Sequence, residues 1–379
     1  MNPFRLSRRR FLSACASCAV LGLLPNVPAL PQAGRRWKKK SDVSPEPARH
    51  YKNLDADTTQ CRLCPNACIR RPGDLGKCKA RGNIEGRYYS MVYNSPCLIH
   101  LDKIEKLPMY HFMPGINVFS VATAGCNLTC KYCQNWQFSQ SSPYETENLK
   151  ITPMEIIRKA GDAGCNAIAF FYTEPVVYFE YMTDIAVLAK KAGMKTIMVT
   201  AGYIQEAPLK EILPLIDAVT FGLKGFSDSY YRDIVGGKLE HVLEALRWID
   251  RSGVWCEIVN LIVPTLNDNA DDIRRMCEWI GTNLSKNRPV HFTRFVPEYL
   301  LRNIPMTPQR TLEKARDIGY QSGLSYVYTG NLPGHEGNNT HCPRCHQILI
   351  RRIGIHLKSN SIRNNRCPHC GTPQNGLWA

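Results

Sequence analysis

No stretch of this chain is apolar for long enough to cross a membrane, and it contains neither an internal repeat nor a low-complexity tract. A spanning helix needs about twenty consecutive apolar residues; the best candidate, from Phe11 to Leu24, is shorter and interrupted. Solenoid architectures and disorder-dominated chains are excluded along with the missing repeats and bias. Acids are absent from residues 1 to 40, which hold nine Lys or Arg. Most of the formal charge of +16 is therefore local, and the rest of the chain carries only +7. A balance of that size is weak ground for a polyanion partner, and nucleic acid is not expected. With 379 residues of globular composition, the chain can build one large domain with small appendages.

Cysteine is abundant instead. Of 17 cysteines, eleven fall into three groups with metal-ligand spacing rather than a disulfide-like scatter. Cys126, Cys130 and Cys133 form C-x3-C-x2-C. Iron–sulfur clusters normally take four cysteines, so three from one short loop leave one iron of a 4Fe-4S cubane open for a ligand, as catalytic zinc sites keep an open position. Cys342, Cys345, Cys367 and Cys370 form two C-x2-C pairs with 21 residues between them. That is the spacing of a zinc ribbon, in which four thiolates close a tetrahedron and give folding energy to a tail too small for a core. His341, His346 and His369 are spare ligands beside it. Cys61, Cys64, Cys68 and Cys78, spaced C-x2-C-x3-C-x9-C, suit a second zinc or an auxiliary iron–sulfur cluster equally. Cys97, Cys165, Cys256 and Cys277 read as ordinary buried residues.

After Gly115, short β-rich runs alternate with helical stretches, which predicts parallel βα units. Strands are expected near Ile116 to Ala122, Ala167 to Tyr172, Lys195 to Thr200, Ala218 to Leu223, Glu257 to Val263 and Val290 to Phe295. Six such strands predict an α/β fold, a partial (β/α)6 TIM-like barrel. Thr152, Pro153 and Glu155 make a capping box with proline at the first helical position. The cysteine loop starts where the first strand ends, the usual place for functional loops in such folds. The expected organisation is a signal over 1–33, a linker over 34–56, a cysteine-rich module over 57–115, a core over 116–330 and a ribbon-like tail over 331–379.

The first segment carries Arg8, Arg9 and Arg10 before Phe11 and Leu12, then a weakly apolar stretch and Val27-Pro28-Ala29. It resembles a twin-arginine export signal, which implies the export machinery as a partner and a periplasmic location, with a cytoplasmic one if the signal is not used.

The loop, with Tyr132 before its last cysteine, resembles the radical S-adenosylmethionine (radical SAM) superfamily. Ile104 to Lys106, Tyr110 to Phe112, Gln134 to Trp136, His291 to Phe295 and Gly330 to Gly337 narrow the resemblance to the AmmeMemoRadiSam system radical SAM enzymes, relatives of the pyruvate formate-lyase activating enzyme. It extends from about Cys61 to the C-terminus. The resemblance implies a 4Fe-4S cluster on Cys126, Cys130 and Cys133, with S-adenosylmethionine chelating the open iron and cleaved by one electron from a low-potential donor. The resulting radical abstracts hydrogen from a substrate of unidentified class, a protein among the candidates. It further implies that Tyr132 lies against adenine and that Thr173 and Glu174 form the turn that takes the methionine ammonium. Relatives carry an aspartate in each of two later strand-end segments and hold a monovalent cation there. This chain has Val199 to Gly202 and Gly222 to Lys224 instead, so no such cation is expected and the methionine carboxylate falls to Lys224, with Thr200 keeping its matching position. His291 is the expected cosubstrate contact on the last strand. The alternative function is a metal-stabilised module that binds nucleic acid or protein through its ribbon.

Overall fold

The computed structural model describes residues 43–378 and the short strand Trp37–Lys38; the segment expected to be a twin-arginine signal, residues 1–33, lies outside the described residues. From Arg36 onward the chain is one compact unit. No helix among the described residues is long and apolar enough to cross a membrane.

All six expected strands are present, at β2 (Asn117–Thr123), β3 (Ala167–Phe170), β4 (Lys195–Thr200), β5 (Ala218–Gly222), β6 (Trp255–Ile262) and β7 (Val290–Arg294). Two further strands flank them and correct the count from six to eight: β1 (Pro96–Lys103) and β8 (Val327–Gly330). The sheet order is β8-β7-β6-β5-β4-β3-β2-β1, parallel from β2 to β8, with β1 antiparallel to β2. β1 lies in the stretch assigned to the cysteine-rich module, and its outer positions are exposed at Leu101 and His100, so it lacks the continuous apolar run of a strand covered on both faces. β3 has that run, with all four residues buried.

Helices cross over between the strands. α1 (Pro153–Asp162) starts on the predicted box: the Glu155 amide donates to Thr152 Oγ1 at 3.3 Å and the Thr152 amide to Glu155 Oε2 at 2.8 Å. α2 (Phe179–Lys191) leads from β3 to β4.

The appendages dock at opposite ends of the sheet. The ribbon, with β9 (Thr340–His341), β10 (Ile348–Ile353) and β11 (His356–Asn360), meets the segment 104–116 before β2. There Arg352 Nη2 donates to the Tyr110 carbonyl at 2.8 Å and the Leu377 amide to the His111 carbonyl at 2.7 Å. The cysteine-rich module meets the other end, beyond the C-termini of the parallel strands. Asn66 Nδ2 donates to the Asn127 carbonyl at 2.7 Å, and the Gln205 amide, past β4, to the Leu63 carbonyl at 3.0 Å. Arg81 and Glu180 of α2 form a buried ion pair, with Nη1 to Oε2 at 2.6 Å and Nη2 to Oε1 at 2.9 Å.

Candidate metal centre

β2 ends at Thr123, and the loop that follows turns at Gly125, whose φ is +95°. A Cβ there would stand 2.4 Å from the Cys78 carbonyl oxygen, so glycine is required both for the left-handed backbone and for the close approach. From the other side the Thr129 amide donates to the Val235 carbonyl at 2.9 Å and the Lys131 amide to the Ile234 carbonyl at 3.0 Å. Held between these contacts, Cys126, Cys130 and Cys133 are each partly exposed. The Leu128 amide points at Cys126 Sγ at 3.4 Å, and Ser139 Oγ lies 3.2 Å from Cys133 Sγ.

Sulfur spacing distinguishes this loop from the ribbon. In the ribbon, Cys342 Sγ lies 3.6 Å from Cys370 Sγ and Cys345 Sγ 3.7 Å from Cys367 Sγ. A tetrahedron with Zn–S bonds of about 2.3 Å has edges of about 3.8 Å. Among the described residues this is the only group of three or more ligand atoms all within 4.8 Å of one another. The three loop thiols do not all lie within 4.8 Å of one another, so they are not drawn in around a single ion. Burial, with the charge of Glu174, pushes the Cys126 thiol well above its usual range. Burial takes Cys130 to about 11 against the opposing pull of Lys224. Thiolates at these positions call for the positive charge of bound iron, so the residues present fit a cluster.

Beyond β3, Tyr172 adopts φ +72°, a conformation costly for an aromatic residue and therefore over-determined by its neighbours. Asn135 Nδ2 donates to its carbonyl at 2.7 Å, its hydroxyl donates to Asp102 Oδ2 at 2.7 Å, and Lys106 Nζ donates to that hydroxyl at 2.8 Å. The turn presents Thr173, whose Oγ1 donates to the Thr123 carbonyl at 2.8 Å, and then Glu174. The Glu174 carboxylate is buried and accepts from Thr200 Oγ1 at 2.6 Å and the Ala201 amide at 2.9 Å. Burial raises its pKa in spite of these donors and of Lys224. Lys224 folds back over the end of β5, since a Cβ on Gly222 would stand 2.7 Å from its Nζ. Thr173, Glu174, Thr200 and Lys224 thus gather beside the cysteine loop. Tyr132 is buried there against Tyr230, with ring centroids 6.4 Å apart and planes 21° from parallel.

The Radical SAM superfamily profile matches residues 120–280. A pyruvate formate-lyase-activating enzyme of Clostridium pasteurianum is 30% identical over 192 residues, 50% of this chain and 77% of that protein. The chain belongs to the radical SAM superfamily. The uncharacterized protein MJ0808 of Methanocaldococcus jannaschii is 42% identical over 326 residues, 86% of this chain and 97% of the relative. Among solved structures, Streptococcus suis SuiB bound to S-adenosylmethionine aligns over 60% of this chain and 53% of its own, at 14% identity and a TM-score of 0.46. As a radical SAM enzyme the chain uses S-adenosylmethionine and a 4Fe-4S cluster, and the three-cysteine loop lies inside the matched residues.

His291 is not brought to this radical SAM site. It is buried near the start of β7, with Nε2 2.8 Å from Glu257 Oε2, and its ring stacks on Tyr328. Glu257 also accepts from the Tyr110 and His111 amides, in the segment that precedes β2, so this network occupies the end of the sheet opposite the cysteines. Burial alone would raise the Glu257 carboxyl, but the His291 hydrogen bond and charge, aided by His111, hold it at about 2. Sequence reasoning missed Tyr172 and Asn135 as residues that set the Thr173–Glu174 turn. Asn135 stood in the quoted extension 134–136, but an asparagine there carries no sign that it will bond to a backbone 37 residues away.

Proposed function

We propose that this radical SAM enzyme acts on a protein substrate, abstracting hydrogen from it as the activating enzymes do. The observation that carries the reading is the likeness to a protein named for activating another enzyme, across 77% of that relative's length. When bound, the cluster supplies the electron that cleaves S-adenosylmethionine to the 5′-deoxyadenosyl radical, and a low-potential one-electron donor must replenish it.

In this reading the chain's own residues bind and orient. Glu174 takes the methionine ammonium: a carboxylate offers about four acceptor sites, and Thr200 and Ala201 are among its donors. Those two act as positioning groups, with Thr173 and Tyr172 behind them. Lys224 takes the methionine carboxylate, and Tyr132 lies against the adenine. His291 has no part in this arrangement. The ribbon holds zinc, supported by its two sulfur pairs at 3.6 and 3.7 Å.

The test is anaerobic. The chain with reconstituted cluster, S-adenosylmethionine and a strong reductant should yield 5′-deoxyadenosine, and Cys130→Ala should reduce it to background. Production that survives in Cys130→Ala would overturn the reading. Equal stability of the two proteins by thermal melting would show that the loss is chemical.

A further inference from the structure

Cys61, Cys64, Cys68 and Cys78 are not used by the radical SAM site, and all four line one cavity. One other residue of that wall bears on what it holds. Arg81 is buried, its Nη1 and Nη2 are held by Glu180 and the Arg49 carbonyl, and its Nε has no hydrogen-bond partner. Buried polar atoms in a native fold are paired as a rule, and an orphaned N–H on the wall of a cavity lined by four thiols marks a missing acceptor. The Lys77 amide already points at Cys68 Sγ, at 3.4 Å.

We propose that this cavity holds a second, fully cysteine-ligated 4Fe-4S cluster rather than a zinc ion. Zinc would draw four sulfurs to edges of about 3.8 Å, close to the 3.6 and 3.7 Å pairs of the ribbon. In the module no three of the four sulfurs lie within 4.8 Å of one another, and the three sulfurs of the loop 126–133 do not either. The spacing agrees: C-x2-C-x3-C is the loop's C-x3-C-x2-C reversed, and Cys78 adds the fourth ligand that the loop withholds. This step rests on the reading of the loop as a cubane site. Inorganic sulfides and thiolates of the cluster supply the acceptor for Arg81 Nε–H. Asn127 lies between Cys126 and Cys130 in sequence, and Cys78 presses on Gly125, so the two clusters are neighbours across a single layer of chain. Placed there, the second cluster passes one electron at a time from an external low-potential donor to the first; each transfer oxidises the module cluster by one electron and reduces the loop cluster by one.

The experiment uses the full chain reconstituted anaerobically with iron and sulfide, with metal and acid-labile sulfide counted per chain. About eight irons, about eight sulfides and about one zinc are expected. A loop variant (Cys126→Ser, Cys130→Ser, Cys133→Ser) should keep about four irons with the Mössbauer signature of an all-thiolate cubane. A module variant (Cys64→Ser, Cys78→Ser) should lose about four irons and no zinc. A wild-type chain with about four irons and about two zincs, or a module variant that loses zinc and keeps its iron, overturns the proposal. If the loop reading alone fails, wild type and loop variant hold the same four or so irons, an outcome that sustains the module site. The wild-type count decides the matter should either variant fail to fold.

Discussion

The two four-cysteine sets use the same residues in opposite ways. Cys342 and Cys367 sit in a small core of their own with Leu349, Ile350 and Ile362. Cys61, Cys64 and Cys78 belong to the main core of the chain, together with Leu128 and Tyr132 of the cysteine loop and Val176 and Val177 beyond Glu174. One set closes on itself and staples a tail; the other borrows its walls from the elements that carry the chemistry. Spacing in sequence separates a metal site from a disulfide framework, but the origin of the walls is what separates a staple from a site coupled to its surroundings.

Removing the staple is the strongest way to test that difference. Structural zinc contributes on the order of 10 kcal/mol of apparent binding energy to a small domain, so Cys342→Ser with Cys367→Ser should unfold the tail. Limited proteolysis should then cut beyond Leu332 while iron loading at the far end of the sheet persists. Iron lost together with the tail would show that the two ends form one cooperative unit. A smaller effect is expected from Glu180→Ala, which strands the Arg81 guanidinium in the wall of the open set. Breaking a buried pair by deleting one partner costs about 3–5 kcal/mol, read as a lower urea midpoint with the ribbon's metal retained. An unchanged midpoint would mean that Arg81 finds another partner and that the wall is less fixed than it looks.

Acid should act on the ribbon end. His111 donates from Nδ1 to the Asn375 carbonyl at 2.6 Å, its Nε2 meets Tyr328 Oη, and it packs against Trp378. Burial lowers its pKa to about 4 from an ordinary 6.5, with Glu257 opposing and Arg352 and His291 reinforcing the shift. The unfolded chain therefore binds the proton first, and stability is full above 6.5 and lost as pH falls through 4. The loss amounts to about 3 kcal/mol for this one group. Urea midpoints between pH 7 and 4, compared with those of His111→Gln, measure it; a variant as acid-sensitive as the parent would place the titration elsewhere.

Much of this was legible in the sequence because burial on both faces leaves a strong pattern. Ala167 to Phe170 is apolar throughout, and it is a strand. Thr152 and Glu155 announced a helix start that needs only local geometry. The flanking strand Pro96–Lys103 escaped notice because it is exposed at His100 and Leu101, which breaks any buried run, and its place depends on a register with β2 that no local signal encodes. His291 shows a second limit. Alternation along a strand tells which face a side chain takes, but not how far along the sheet axis it sits, and the histidine faces Glu257 at the end away from the cysteines. The grouping of Glu174, Thr200 and Lys224 was expected from the resemblance; the left-handed Tyr172 that aims the turn was not, because its partners Asp102 and Asn135 come from separate parts of the chain.

If Lys224 takes the methionine carboxylate as proposed, its ammonium, folded over Gly222, supplies the counter-charge of the site from within the chain. A dissolved cation occupies such a place in proportion to its concentration, whereas a group tethered two residues away is present at an effective concentration fixed by the chain. In the proposed assignment, a chain with Val199 and Gly222 at these strand ends relies on a charge it carries with it rather than on the ionic composition of its surroundings.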